Sequence, residues 1–338
     1  MKNKQYEYIR AVAIVGVICI HTMYSALLQF EGSYSRNVEL MYSTIMNLMW
    51  WAVPCFLMLT GSLLLDGKRE VTIKKLYSKY ILRMLVVLFT VGTFYSWLEI
   101  YFVERYMRPS QLIRAIYNVF IGNTWAHMWY IYCLLGLYVL LPVYKLIATY
   151  ATDTQIKYIL FVLLIFESIL KLGSIVGIES GFYCHINTIY PFWILMGVAW
   201  NRKLININMR ISCLIFIVVN VMLAGATILD INYQLPINIL FGYDSIIVVV
   251  QSVALFALMN HMRENNFAEK FLLEIGDKSF GIYLVHMFFI NIFYKVFNIN
   301  PMNRWGGILG LILIIVNLGV SYLAVWVLKK IPIIKRFI

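Results

Sequence analysis

Polar residues interrupt this chain rarely and at fairly even intervals. Apolar stretches cover roughly 9–29, 44–65, 81–103, 129–149, 156–173, 188–200, 211–229, 237–260, 279–297 and 306–328. Most approach the ~20 residues that a helix needs to cross a bilayer. The sixth, around PFWILMGVAW, is short and reads as tilted, kinked or partly re-entrant, and the ninth is interrupted by Ser279, His286 and Asn291. The pattern predicts an all-α, polytopic integral membrane protein of about ten transmembrane helices, forming one membrane domain over residues 1–338. The first stretch is too long for a signal-peptide core and lacks a small-residue cleavage site, so it reads as a retained helix. Between the third and fourth stretches, residues 104–128 alternate Ile, Leu, Tyr and Phe with basic residues. This amphipathic segment suits the outer membrane surface.

An even number of spans puts both ends of the chain on one side, and the basic residues say which. With the N-terminus inside, Lys2, Lys4, Lys68, Arg69, Lys145, Arg202, Arg263, Lys329 and their neighbours bring 21 of the 28 lysines and arginines to the cytoplasm. Seven remain outside: Arg36, Arg105, Arg108, Arg114, Lys171, Lys295 and Arg304. The positive-inside rule therefore predicts cytoplasmic termini.

Composition agrees. Hydrophobic residues make up 62% of the chain and charged residues 13%, against about 25% charge in a soluble domain. The net charge of +12 reflects this topology and attraction to anionic membrane lipid, and it needs no nucleic-acid partner. Five cysteines, Cys19, Cys55, Cys133, Cys184 and Cys213, have neither redox nor metal-ligand spacing, so no metal and no disulfide framework is indicated.

Chemistry enters with the first stretch, YIRAVAIVGVICIHTMYSALLQF, which carries Arg10 at its entrance and His21 within. Eleven residues at ~100° each close to within about 20° of three full turns, so the two share a helix face roughly 16 Å apart. A cation at the surface and an imidazole at mid-depth suit a long molecule with an anionic head and a reactive far end. A headgroup anchor and a histidine satisfied by a neighbouring helix account for the same residues.

Lys79 and Arg83, four apart at the entry of the third helix, could join Arg10 in a cationic mouth for phosphate, although by themselves they read more simply as ordinary positive-inside flanking. PCFLMLTGSLLL, residues 54–65, predicts a kink at Pro54 and close helix contact at Gly61. HMWYIYCLLGLYVLLPVY brings Trp129 and Tyr130 to the outer interface, as an aromatic belt would. IGDKSFGIYLVHMFFI brings Gly281, Tyr283 and His286 into the ninth helix, where a structural hydrogen bond and catalysis explain His286 equally well. Glu99, Glu167 and Asp244 fall in the outer half; there they could orient a hydroxylated acceptor or partner a histidine, and Glu167 could simply pair with Lys171. No HxxxxD, P-loop, GxSxG or HExxH occurs, which removes support for glycerolipid-type acyl transfer, ATP hydrolysis, serine hydrolysis and zinc proteolysis.

Taken in order, Arg10 and His21, PCFLMLTGSLLL, the basic run into helix three, HMWYIYCLLGLYVLLP and GDKSFGIYLVH resemble the acyltransferase-3 family of bacterial inner-membrane acyltransferases. The likeness is greatest to compact stand-alone members that O-acetylate cell-envelope glycans. Thr60 stands where a serine is usual, and Lys79 with Arg83 replaces a tight arginine pair. The resemblance implies transfer of an acyl group, usually acetyl from acetyl-CoA as donor substrate, to a hydroxylated acceptor at the outer face of the plasma membrane. Arg10, Lys79 and Arg83 would hold the donor, and His21 would act as general base or transient acyl carrier. Glu99, Glu167, Asp244, Trp129, Tyr130, Tyr283 and His286 are candidate acceptor-binding or supporting residues. A transporter or flippase for a lipid-linked sugar or small solute, with His21, Glu99 and Asp244 as a proton relay, is the alternative; no matching pair of broken helices in the two halves supports it.

Overall fold

The computed structural model describes residues 4–67, 69–106, 108–182, 188–235, 237–261 and 266–338, without the side chains of 266–268. Lys2, Lys68, Cys184 and Arg263 lie outside these residues. The described chain is mostly helical, with no strand among the described residues. Seven helical segments are long and apolar enough to cross a membrane: Lys4–Gln29 (α1), Arg36–Leu64, Ile73–Glu104, Asp153–Val176, Met209–Tyr233, Glu269–Val296 and Trp305–Leu328. An eighth crossing is formed if Ala126–Val139 and Leu141–Tyr150, bent by 55°, count as one span.

The expectation of ten full-length spans is therefore met only in part. The sixth and eighth apolar stretches form shorter helices, Tyr190–Asn201 and Ile246–Asn260. At 1.5 Å per residue these are roughly 18 Å and 22 Å long, below a ~30 Å hydrocarbon core. The short helix Tyr190–Asn201 is buried along nearly its whole length. The kink expected at Pro54 is also displaced. Arg36–Asn47 (α2) ends in a turn, and Ala52–Leu64 (α3) then carries Pro54 in its first turn, where its missing N–H costs no helical bond.

Close helix packing follows the small residues. A Cβ built on Gly61 would lie 2.0 Å from the Ile194 carbonyl oxygen, and one on Gly197 would lie 2.1 Å from the Met58 oxygen. Only glycine lets α3 and Tyr190–Asn201 approach backbone to backbone, and Ser62 Oγ then donates to the Gly197 carbonyl at 3.0 Å. Gly276 plays the same part against the Glu7 carbonyl, seating Asn266–Asn291 (α4) along α1. Helix α1 is thus enclosed by α2, α3, α4 and Ile308–Leu328. Met209–Tyr233 and Trp305–Leu328 turn most of their apolar surface outward, as lipid-facing helices do.

Charged residues divide between the two ends of the bundle. Where the chain begins, Lys4 pairs with Glu269 at 2.8 Å, Arg83 Nε donates to the Phe337 carbonyl at 3.0 Å and Arg202 pairs with Asp153 at 2.9 Å. At the far end Lys295 pairs with Glu99 and Lys171 with Asp244, each at 2.8 Å. The expected amphipathic segment contains a helix, Pro109–Phe120, at this far end. It buries Gln111, Ala115 and Val119 and exposes Leu112, Ile113, Ile116 and Phe120.

Candidate active site

One face of α1 places Arg10, Val17, Ile20 and His21 along a single cavity of about 380 Å³. The eleven-residue spacing thus does bring Arg10 and His21 into the same space. Arg83, Lys329 and Asp277 join Arg10 at the end where the chain begins. Val53, Phe56 and Thr60 of α3 line one wall; Tyr138, Phe280 and Tyr283 also border the space. His127, Trp129, Tyr130 and Tyr243 line it with His21.

The mouth is cationic but not unopposed. Arg10 Nη1 donates to Glu7 Oε1 at 2.6 Å, and Glu7 is buried with its second carboxylate oxygen unpartnered among the described residues. Arg83 lays its guanidinium 4.7 Å from the Phe280 ring centre and uses Nε on the Phe337 carbonyl. The remaining N–H groups of both arginines suit the planar, paired contacts that guanidinium makes with phosphate oxygens.

At the inner end of the cavity, His21 is in contact with a second histidine. His21 Nδ1 lies 2.8 Å from His286 Nε2, and His286 Nδ1 lies 2.7 Å from the Tyr283 carbonyl oxygen. A carbonyl only accepts, so His286 carries its proton on Nδ1 and, as a neutral ring, offers an Nε2 lone pair. His21 must then donate from Nδ1. Its own Nε2 is left with a lone pair, the state required of a general base or nucleophile. The backbone of one helix thereby sets the tautomer of a side chain on another.

A third histidine completes the group. His127 is 1% exposed, and its ring centre lies 6.1 Å from that of His21 and 5.4 Å from that of His286. Tyr95 packs edge-on at 5.3 Å, and Tyr283 donates its hydroxyl to the His127 carbonyl. Sequence reasoning passed over His127 and Tyr95. His127 opens HMWYIY, where the following Trp and Tyr residues gave the segment the character of an interfacial belt. Its counterpart signal was the histidine itself, at the mouth of a membrane helix.

A family model described as an acyltransferase domain matches residues 3–328. The chain belongs to the acyltransferase-3 family. No curated protein and no solved structure matches it. The chain is accordingly a membrane acyltransferase, which displaces the transporter alternative, and the matched span holds every cavity-lining residue except Lys329 and Ile338.

The acyltransferase does not gather all the residues its sequence suggested. Lys79 is exposed and outside the cavity. It lies one turn before Arg83, roughly 6 Å further along the axis, and so beyond the rim. Glu99 is held by Lys295 and by Trp125 Nε1, both at 2.8 Å. Glu167 and Asp244 share Lys171, at 3.3 and 2.8 Å. These carboxylates pair with lysines at the far end, and no hydrogen bond joins any of them to a histidine among the described residues. Glu167 is buried and needs a cation beside it, while Glu99 and Asp244 are partly exposed and pair with the lysine that lies nearest. Trp129, by contrast, borders the cavity as well as packing against Tyr190 and Tyr243, and Tyr130 is buried beside Tyr283. Thr60 donates to the Phe56 carbonyl at 2.9 Å and so serves its own helix while lining the cavity.

Proposed function

We propose that this acyltransferase moves an acetyl group from cytoplasmic acetyl-CoA to a hydroxyl of a cell-envelope glycan at the outer face of the bacterial plasma membrane. In this reading all ten apolar segments pass between the two faces, the short Tyr190–Asn201 and Ile246–Asn260 being shielded from lipid by longer neighbours. Both ends of the chain lie in the cytoplasm, where the positive-inside rule puts them.

The observation that carries the reading is the continuity of one cavity from Arg10 and Arg83 to His21. Phosphate groups of the donor rest on the two arginines. The pantetheine arm follows the Val17 and Ile20 face of α1 and brings the thioester to His21. His21 Nε2 takes the proton of the acceptor hydroxyl as the oxygen attacks the thioester carbon. The same imidazolium then returns that proton to the departing thiolate. Lys79 has no part in this.

Inside-out membrane vesicles supplied with acetyl-labelled CoA test the reading. Label should enter a lumenal or envelope product with the wild type and not with His21→Ala at matched expression. Equal labelling by both proteins removes His21 from the chemistry.

A further inference from the structure

His127 is the buried polar side chain of the site for which the His21–His286 pair has no use. Both of its ring nitrogens are sealed from solvent and neither has a hydrogen-bond partner among the described residues. The ring is nevertheless firmly seated, edge-on to His21, His286, Tyr95 and Tyr283. It borders the same cavity as His21. Any neutral imidazole has one N–H and one lone pair, and buried polar groups are as a rule satisfied. A seated ring with both unsatisfied, facing a cavity, is a site that a ligand completes.

The neighbouring geometry says which ligand atom. His21 spends Nδ1 on His286 and keeps only a lone pair at Nε2, so it can accept a proton but cannot stabilise developing negative charge. His21 and His127 line the same cavity with ring centres 6.1 Å apart, so one ligand group bound there can meet both imidazoles, a base beside an oxyanion donor.

We infer that His127 is a catalytic residue of the acyl transfer: its N–H donates to the carbonyl oxygen of the acyl thioester as that oxygen becomes an oxyanion. The inference rests on the acyl-CoA reading above. In the balanced step, His21 Nε2 removes the acceptor O–H proton and the acceptor oxygen bonds to the carbonyl carbon. The C=O electron pair moves to oxygen and is held by His127. Collapse of this tetrahedral species breaks the C–S bond, and the thiolate takes the proton from His21, giving an O-acyl product and a free thiol.

The test compares wild type, His127→Phe and His127→Gln in inside-out vesicles with acetyl-labelled CoA, measuring the saturated rate and the apparent KM for acetyl-CoA. Melting of each purified protein in detergent is followed in parallel. Loss of an oxyanion donor should lower the saturated rate of His127→Phe about 10²- to 10³-fold, with a KM within about twofold of wild type and an undiminished Tm. A Tm that does not fall sets this histidine apart from one that holds the fold by hydrogen bonds. His127→Gln, whose amide supplies an N–H, should recover part of the rate, and it carries the comparison if the phenylalanine variant fails to fold. A His127→Phe rate within threefold of wild type overturns the assignment. So does a loss confined to KM, or no difference between Phe and Gln when both are folded. A wild type that never transfers label from acetyl-CoA fails at the underlying reading instead, and takes this inference with it.

Discussion

His21 Nδ1 and His286 Nε2 sit 2.8 Å apart although 265 positions separate them in the chain. On the proposed mechanism this contact, with the Tyr283 carbonyl behind it, gives His286 the part of a positioning residue that sets which nitrogen of His21 is free. His286→Ala should lower the saturated rate by about 10²- to 10³-fold, somewhat less than loss of the base itself. His286→Gln, whose amide oxygen can accept from His21 Nδ1, should recover part of that rate. The pH–rate profile separates this from a packing role, since a His21 released from its partner should titrate at a different pH. An unshifted profile in a folded His286→Ala enzyme would falsify that role.

Removing the base itself should be the severest change. His21→Ala is expected to cost about 10²- to 10⁴-fold in rate, the usual contribution of a positioned general base. Binding of a non-reactive CoA analogue should change little, because Arg10 and Arg83 remain. Calorimetry with the analogue is the check.

Arg10 cannot be read from a single substitution, because Glu7 beside it is buried and relies on it. Arg10→Ala leaves that carboxylate without its cation, at a cost on the order of 3 kcal/mol, and should lower the Tm as well as donor affinity. Combining it with Glu7→Gln should restore the Tm and leave the affinity low. Glu7→Gln alone removes a negative charge from the mouth and should tighten acetyl-CoA binding. Weaker binding by that variant would count against a phosphate-holding mouth.

The two basic residues at the entry of the third helix should behave differently. Arg83→Ala is expected to raise the apparent KM for acetyl-CoA about tenfold, as loss of a charged hydrogen bond does. Lys79→Ala should leave it within about twofold, since exposed charges of this kind contribute little. Parallel donor titrations of both variants decide it.

Gly61→Ala forces a Cβ to 2.0 Å from a backbone oxygen of the neighbouring helix. The helices must separate, at a cost of about 1–3 kcal/mol, and the cavity wall carrying Phe56 and Thr60 moves with them. A lower Tm and a lower rate should appear together in the same preparation.

The sequence by itself determined a good deal. Apolar length and the scarcity of charge settled that the chain is helical and membrane-spanning. A continuous apolar run of about 20 residues satisfies its backbone in lipid as a helix, whereas a barrel strand is shorter and alternates. The period of the helix put Arg10 and His21 on one face, and the glycine of PCFLMLTGSLLL marked a close helix contact; both are local consequences of geometry along one helix. Only tertiary structure decided that His286 and His127 meet His21, that Arg10 is opposed by Glu7, and that Lys79 lies outside the rim. It also decided that Glu99, Glu167 and Asp244 belong to lysines at the far end. Periodicity states which way a side chain faces along its own helix. It carries no record of which other helix comes to stand opposite, and that choice is made by backbone approach at Gly61, Gly197 and Gly276.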